Sequence, residues 1–323
     1  MNRPKVSLGV PVYNGQRYLE FALRSLLEQT YTDFELIICD NASTDRTADI
    51  CKDFAARDAR VRYYRNERNI GANPNFNRVL ELATGEYFKW AAYDDICLPT
   101  YLERCVAALD ADPAASLVHP RTAIIDDDGD RLDTNPAALS RRNMTLRDIQ
   151  DPPRKLGSNC NVSRFASIVL KTKWCFEIFG LFRTEQLRQT GGMGDFYGTD
   201  KVLLATTALQ GKFVEIDEEL FLRRHHAAQS SQIKTAKQRA AWSGATSSSF
   251  MASQRKCLAG YRNAIRIAHL SFAQRFACYA VLLRYVLQIR KWPAMMGLPR
   301  RTDATAQPSL PPSKPEAVVS ESH

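Results

Sequence analysis

No run of about 18 apolar residues occurs in the 323-residue chain, so no transmembrane helix is expected. The eight cysteines (Cys39, Cys51, Cys97, Cys105, Cys160, Cys175, Cys257 and Cys278) form no CxxC pair. That argues against a zinc or disulfide framework and suits reduced, buried thiols. No GxGxxG follows the first strand-like segment and no GxxxxGK[ST] is present, which excludes a Rossmann dinucleotide fingerprint and a P-loop. Residues 1–5 (MNRPK) lead into a strand-like segment without the apolar stretch of a secretory signal, so a cytoplasmic chain is expected. No internal repeat is evident. With 45% apolar and 24% charged residues, the composition excludes a disordered chain and a collagen-like fibre.

Acidic residues are missing from one long stretch. From Arg223 to Arg301 there are fifteen Lys and Arg and no Asp or Glu, while the net charge of the whole chain is only +9. The rest of the chain is therefore acidic. Such segregation predicts an anionic partner surface, a membrane or a nucleic acid.

What is present, in the first 125 residues, is alternation. Apolar β-branched runs at 5–12, 34–39, 61–64, 86–92 and 116–119 read as strands. Between them, 18–29, 44–56, 75–83 and 100–109 carry apolar residues at helical spacing. This is the pattern of βαβ units on a mainly parallel sheet, whose ligands bind at the carboxyl ends of the strands. Residues 126–130 (DDDGD) read as a hairpin-type turn, and 134–161 as a polar excursion with little regular structure. Regular structure is expected to resume at 165–171 and 178–183, followed by a glycine-rich loop at 191–194, a helix at 200–210 and two closing strands at 213–216 and 220–223. Leu258, Tyr261, Ile265, Ala268, Phe272, Phe276, Tyr279, Leu283 and Val286 recur at three- and four-residue steps, marking one or two amphipathic helices. Pro, Ser and Ala dominate 302–323, where a disordered tail is expected.

Polar residues gather at the predicted strand ends. Pro11, Tyr13 and Asn14 end the first strand, Asp40 the second and Arg65 the third. A carboxylate there can accept the imide N–H of uracil or thymine, and an arginine can meet phosphate or hold that carboxylate. Asp40, Asn41 and Ser43 are equally good helix N-caps. Asp94 and Asp95 end the fourth strand and suit Mg²⁺ or Mn²⁺ bound with phosphate oxygens, or cap the next helix. Asp200 opens a helix and is a candidate general base, or a carboxylate complementing the helix dipole. Arg223, Arg224, His225 and His226 could contact a diphosphate or complete a metal shell.

With these residues assembled, the chain resembles a family 2 glycosyltransferase of the α/β GT-A fold. The matching stretches are VSLGVPVYN (6–14), LLEQTYTDFELIICDNASTDRTAD (26–49), YRNERNIGAN (64–73), GEYFKWAAYDDICLP (85–99), YGTDKVLLATTALQG (197–211) and RRHHAAQSS (223–231). The resemblance implies a GT-A domain over 1–231, with an acceptor-side insertion at 134–177. A basic helical region at 232–301 and the tail would follow. It implies a nucleotide pocket with Pro11, Tyr13, Asn14, Asp40, Arg65, Asn69 and Gly71, Asp40 facing the base. It implies a metal motif at Asp94 and Asp95, an acceptor-activating base at Asp200, and a late histidine at His226, with His225 the near alternative. Arg223 and Arg224 would lie by the diphosphate. Two positions depart from the family: the Asp often found two residues before Asp94 is Ala92 here, and the Glu often preceding the base is Thr199.

The activity implied is inverting transfer of a sugar from a UDP- or dTDP-linked donor to a hydroxyl of a glycan or lipid-linked acceptor, in polysaccharide or cell-surface glycan synthesis. Trp174 and Thr199 would face the acceptor. The basic end predicts a peripheral enzyme on the inner face of the cell membrane, with no nucleic acid as partner. Two rivals remain: a non-catalytic polyanion- or membrane-binding module, and a sugar nucleotidyltransferase. The latter would carry a Gly- and Arg-rich loop where Pro11-Val12-Tyr13-Asn14-Gly15 stands.

Overall fold

The computed structural model describes residues 3–141, 151–233 and 235–288. The first half alternates as β1 (Val6–Val12), α1 (Leu19–Leu27), β2 (Phe34–Asp40), α2 (Thr47–Arg57), β3 (Val61–Arg65), α3 (Ala72–Leu82) and β4 (Tyr87–Trp90). The short β5 (Ile96–Cys97), α4 (Tyr101–Ala111) and β6 (Ala115–Ile125) follow, then α5 (Pro136–Arg141), α6 (Asn161–Lys171), β7 (Leu181–Arg183) and α7 (Thr184–Gln189). The chain continues through α8 (Thr199–Gln210), β8 (Lys212–Arg224), α9 (Ala236–Ser243), α10 (Phe250–Ile267) and α11 (Phe272–Leu287).

One eight-stranded sheet runs in the order β3-β2-β1-β4-β7-β6-β8-β5. β1 pairs in parallel with both β2 and β4, β2 with β3, and β6 with β8; β7 and β5 are antiparallel to their neighbours. Since β7 reverses between β4 and β6, the strands β1, β2, β3, β4, β6 and β8 all point one way. Their carboxyl ends share a rim, where α/β sheets bind ligands.

Helices cover both faces, so the inner strands are buried on each side and read as mainly apolar runs, with the polar pair Ser7 and Glu35 hydrogen-bonded to each other. The period of two still sorts their side chains. Ile37, Phe88 and Trp90 join one core with Phe165, Leu204 and Tyr261, while Leu8, Ile38 and Tyr87 join the other with Leu23, Tyr101 and Leu181. Each such buried side chain contributes about 1.5–3 kcal/mol. α8 is buried nearly all round, between α6 and α10. Its Thr206 and Thr207 hydroxyls are satisfied by the carbonyls of Val202 and Leu203.

Three sequence expectations change. The two closing strands are one, β8, because bulges opposite β6 around Pro120 and Arg121 absorb the polar stretch between them. The excursion at 134–161 contains α5 and ends where α6 begins, its residues 142–150 lying outside the described residues. Among the described residues after 231, Cys257, Tyr261, Ile265, Cys278 and Leu282 join the core of α6 and α8. The apolar stripe of this region divides, with Tyr261 and Ile265 buried on α10 but Phe272, Phe276, Tyr279 and Leu283 exposed on α11. The tail at 302–323 lies outside the described residues.

Candidate active site

At the β1–β2–β3 end of the rim, Asp40 is fully buried and its carboxylate is already engaged. Oδ1 accepts the Ser43 amide at 2.8 Å, while Oδ2 accepts the Tyr63 hydroxyl at 3.0 Å and the Arg65 guanidinium. Arg65 also donates to the Ser43 carbonyl and keeps part of its surface in solvent. Asn14 takes the left-handed conformation (φ 51°) and its Oδ1 accepts the Thr44 amide at 2.9 Å, so the loops after β1 and β2 brace each other. Pro11 is buried within β1, whereas Tyr13 is 42% exposed and presents its ring at the rim. Asn69 accepts from Asn41 and from the Gly71 amide, both at 2.8 Å. Together these residues build a braced wall whose open surfaces are Tyr13, Arg65 and the 68–71 loop. That loop lines a recess with Ala240, Ala241, Gly244 and Ala245.

The acidic end joins β4 to β8. His226 Nε2 lies 2.9 Å from Asp94 Oδ2, and the His226 ring packs 4.9 Å from that of Tyr18. This contact distinguishes the two histidines: His226 meets the acidic motif, while His225 Nδ1 is bonded to Gln229. Asp95 points inward and accepts the Arg224 amide at 2.8 Å. Burial pushes its carboxyl above the usual carboxylate range, and the charge of Asp94 adds to the rise. Arg224 is buried as well. Its guanidinium donates to the carbonyls of Asp94, Asp126 and Asp127, so it clamps the loops that carry the acids and offers no free face to a diphosphate. Arg223 lies over the rings of Phe176 (4.9 Å) and Trp174 (5.6 Å).

The donor set fits a divalent cation only in part. Among the described residues no group of three His, Cys, Asp or Glu side chains could hold an ion alone. Asp94 and His226 supply two donors, which suits an ion completed by phosphate oxygens rather than one caged by protein.

Asp200 sits in the first turn of α8, in a recess that leaves part of it accessible. Burial raises its pKa, against hydrogen bonds from the Lys201 amide and the Cys175 thiol and the nearby charge of Lys201. Thr199 is buried and its hydroxyl accepts the Gly194 amide at 2.6 Å, so it fixes the glycine-rich loop. Trp174 stacks on Phe176 at 6.1 Å, and its indole Nε1 is buried without a partner among the described residues. Residues 174–176 thus link Asp200, through Cys175, to Arg223 on β8.

Sequence reasoning passed over a group of asparagines. Asn41 accepts from Asn66 and the Ile70 amide, and Asn75 donates to the Cys39 carbonyl at 2.8 Å. Asn73 reaches the carbonyls of Gly194 and Phe196, and Asn77 exchanges two hydrogen bonds with Met193. α3 therefore ties the loop after β3 to the loop before Asp200. The signal was the repeated Asn at 73, 75 and 77.

The sequence pattern of glycosyl transferase family 2 matches residues 7–168. A Bacillus subtilis (strain 168) protein named as a glycosyltransferase, EpsE, is 36% identical over 129 residues, 40% of this chain and 46% of its own. Chondroitin synthase of Escherichia coli is 33% identical over 129 residues, 40% of this chain and 19% of its own. The chain thus spans less than half the length of these curated relatives. Staphylococcus aureus TarS 1–349 in complex with UDP superposes with a TM-score of 0.61 at 16% identity, covering 93% of this chain and 77% of that one. The mannosyltransferase PcManGT of Pyrobaculum calidifontis, in complex with GDP-Man and Mn²⁺, gives 0.53 at 18%, covering 96% and 77%. The fold is GT-A, and with half its length matched by the family pattern the chain belongs to glycosyl transferase family 2.

Proposed function

We propose that this glycosyltransferase is inverting and moves a sugar from a UDP- or dTDP-linked donor to a hydroxyl of a glycan or lipid-linked acceptor during cell-surface polysaccharide synthesis. The observation that carries the reading is the meeting of Asp94 and His226 on the rim that also bears Asp40 and Arg65. Support for the donor class comes from TarS, solved with UDP and with UDP-GlcNAc, and from PcManGT, solved with GDP-Man.

In this mechanism Asp200 accepts the proton of the acceptor hydroxyl as that oxygen bonds to the anomeric carbon. The carbon's bond to the diphosphate breaks, and the nucleoside diphosphate leaves with the electron pair. A base of raised pKa suits this task near neutral pH, and such proton removal contributes about 10²–10⁴-fold. Asp94 and His226 would hold Mg²⁺ or Mn²⁺ against the diphosphate, where the ion supplies Lewis-acid stabilisation of the leaving group when bound. Arg223 adds positive charge beside them, while Arg224 keeps both acids in place. The stacked pair Trp174–Phe176, with Arg223 lying over both rings, marks the side of the site where an acceptor sugar would arrive.

A thermal-shift panel of UDP-, dTDP- and GDP-sugars, with Mn²⁺ and with chelator, tests the reading. Stabilisation by a UDP- or dTDP-sugar that grows with Mn²⁺ is expected. A chain indifferent to every nucleotide sugar would overturn it.

A further inference from the structure

α11 turns its apolar residues outward. Cys278 and Leu282 face the core, with Val281 and Tyr285 packed beside them, and that side is satisfied by α6 and α10. On the opposite side Phe272, Phe276, Tyr279, Leu283 and Leu287 follow at steps of four, three, four and four, which at 3.6 residues per turn is one continuous stripe. Their exposures are 87%, 71%, 43%, 61% and 64%. An isolated exposed leucine needs no explanation, but five large apolar side chains in one line do.

The charges around the stripe select what covers it. Arg275 and Arg284 fall on its two flanks, about 80–100° to either side of its centre by helical geometry. Neither α10 nor α11 contains an acidic residue, and no Asp or Glu occurs from Arg223 to Arg301. Arg255, Arg262 and Arg266 on α10 are exposed too. In the sequence just beyond α11, Arg290 and Lys291 precede Trp292, Met295 and Met296, continuing the mixture of basic and large apolar residues. A second copy of the chain would bring like charges together across the stripe. A surface that is apolar beneath an anionic layer meets both features at once.

We infer that α11 is a membrane-docking helix that lies in the plane of an anionic lipid surface. Phe272, Phe276, Tyr279, Leu283 and Leu287 enter the headgroup–acyl boundary, while Arg275 and Arg284 meet lipid phosphates. Interfacial helices of this composition bury their apolar face about 5–10 Å deep and bind in proportion to apolar area and lipid charge. No helix among the described residues is long and apolar enough to cross a membrane, so the attachment is parallel to the surface. The inference is independent of the transfer reaction and does not require it.

The test is co-sedimentation of the full chain with vesicles of phosphatidylglycerol and phosphatidylcholine, and with phosphatidylcholine alone. The wild-type chain is expected to bind the anionic vesicles preferentially and to release as NaCl is raised. The triple variant Phe272→Ser, Phe276→Ser, Leu283→Ser should lose at least about tenfold in vesicle affinity. Arg275→Glu with Arg284→Glu should lose binding to the anionic vesicles. Both variants change exposed or half-exposed positions, and a melting temperature and circular dichroism spectrum unchanged without nucleotide certify their fold and keep this test separate from the donor assignment. A wild-type chain that ignores the anionic vesicles, or a triple variant that binds as well as wild type, overturns the inference. So does light scattering that shows a dimer dissolved by the triple variant, since a second copy would then own the stripe.

Discussion

Gly71 and Gly244 meet backbone to backbone: a β-carbon on Gly71 would stand 2.4 Å from the Gly244 Cα. Both residues have positive φ: Gly244 is left-handed (φ 75°, ψ 20°), and Gly71 (φ 88°, ψ 163°) takes a conformation essentially confined to glycine. Gly71 precedes α3 in the loop that carries Asn69, and Gly244 caps the C-terminus of α9. The loop between β3 and α3 is therefore seated on a helix about 170 residues later in the chain.

Gly71→Ala should accordingly cost about 1–3 kcal/mol for the backbone alone, and more for the contact. Gly129→Ala supplies the comparison, because Gly129 has a similar φ of 96° with nothing within 4 Å of an added β-carbon. UDP titrations by calorimetry should show clearly weaker binding for Gly71→Ala and unchanged binding for Gly129→Ala. Equal affinities would mean that the seat on α9 does not shape the donor site.

Asp200→Asn is expected to lower the rate of transfer by about 10²–10⁴-fold while leaving UDP affinity close to wild type. As the proposed base, Asp200 must be ionised to act, and burial raises its pKa, so the acid limb of the wild-type kcat/KM profile should lie above the ordinary carboxylate value of about 3.9. The same shift carries a stability cost. A carboxyl whose folded pKa exceeds its unfolded one favours the fold at low pH and loses that contribution as pH rises through the folded value. Asp200→Asn should therefore raise Tm at pH 8 and leave it nearly unchanged at pH 4. A lower Tm at pH 8 would show that the ionised carboxylate is well solvated.

His226→Ala removes the ring 2.9 Å from Asp94. The Mn²⁺ concentration giving half the donor-dependent thermal shift should rise about 10–100-fold, the usual loss when a metal site gives up a ligand or its orienting partner. His225→Ala, whose ring is bonded to Gln229, should leave that midpoint in place. If both variants respond alike, the assignment of His226 to the acidic motif fails.

The legible part of this protein is the part where local and global signals agree. β1 and β2 are short apolar runs buried on both faces, and the edge strand β3 ends on Arg65 beside the Asp40 that ends β2. β5 has only two residues, Ile96 and Cys97, too few for any periodicity, and the reversal of β7 is set by its partners rather than its sequence. Arg223 and Arg224 are adjacent and chemically identical. Only the packing reveals that one lies over Trp174 while the other is a buried clamp. The stripe on α11 was visible as helical periodicity, but periodicity does not say which stripe faces inward.

The asparagines of α3 were hidden for a related reason, since polar residues on a helix usually mark its solvated side. Asn77 instead donates to the Met193 carbonyl at 2.8 Å and accepts the Met193 amide at 2.7 Å, pairing with that residue as a neighbouring strand would. Gly192 packs on the same side chain, so the glycine-rich loop is fitted to this one residue. Asn77→Ala removes both bonds and leaves the Met193 amide and carbonyl to find water, at about 1–3 kcal/mol. Because the loop leads directly into Thr199 and Asp200, the loss should appear there first. Hydrogen exchange at 191–196 should accelerate and kcat should fall, with UDP affinity retained because Asn41, Asn69 and Asn75 still brace the nucleotide side. A variant that loses UDP affinity but keeps kcat would reverse that order and detach α3 from the positioning of the base.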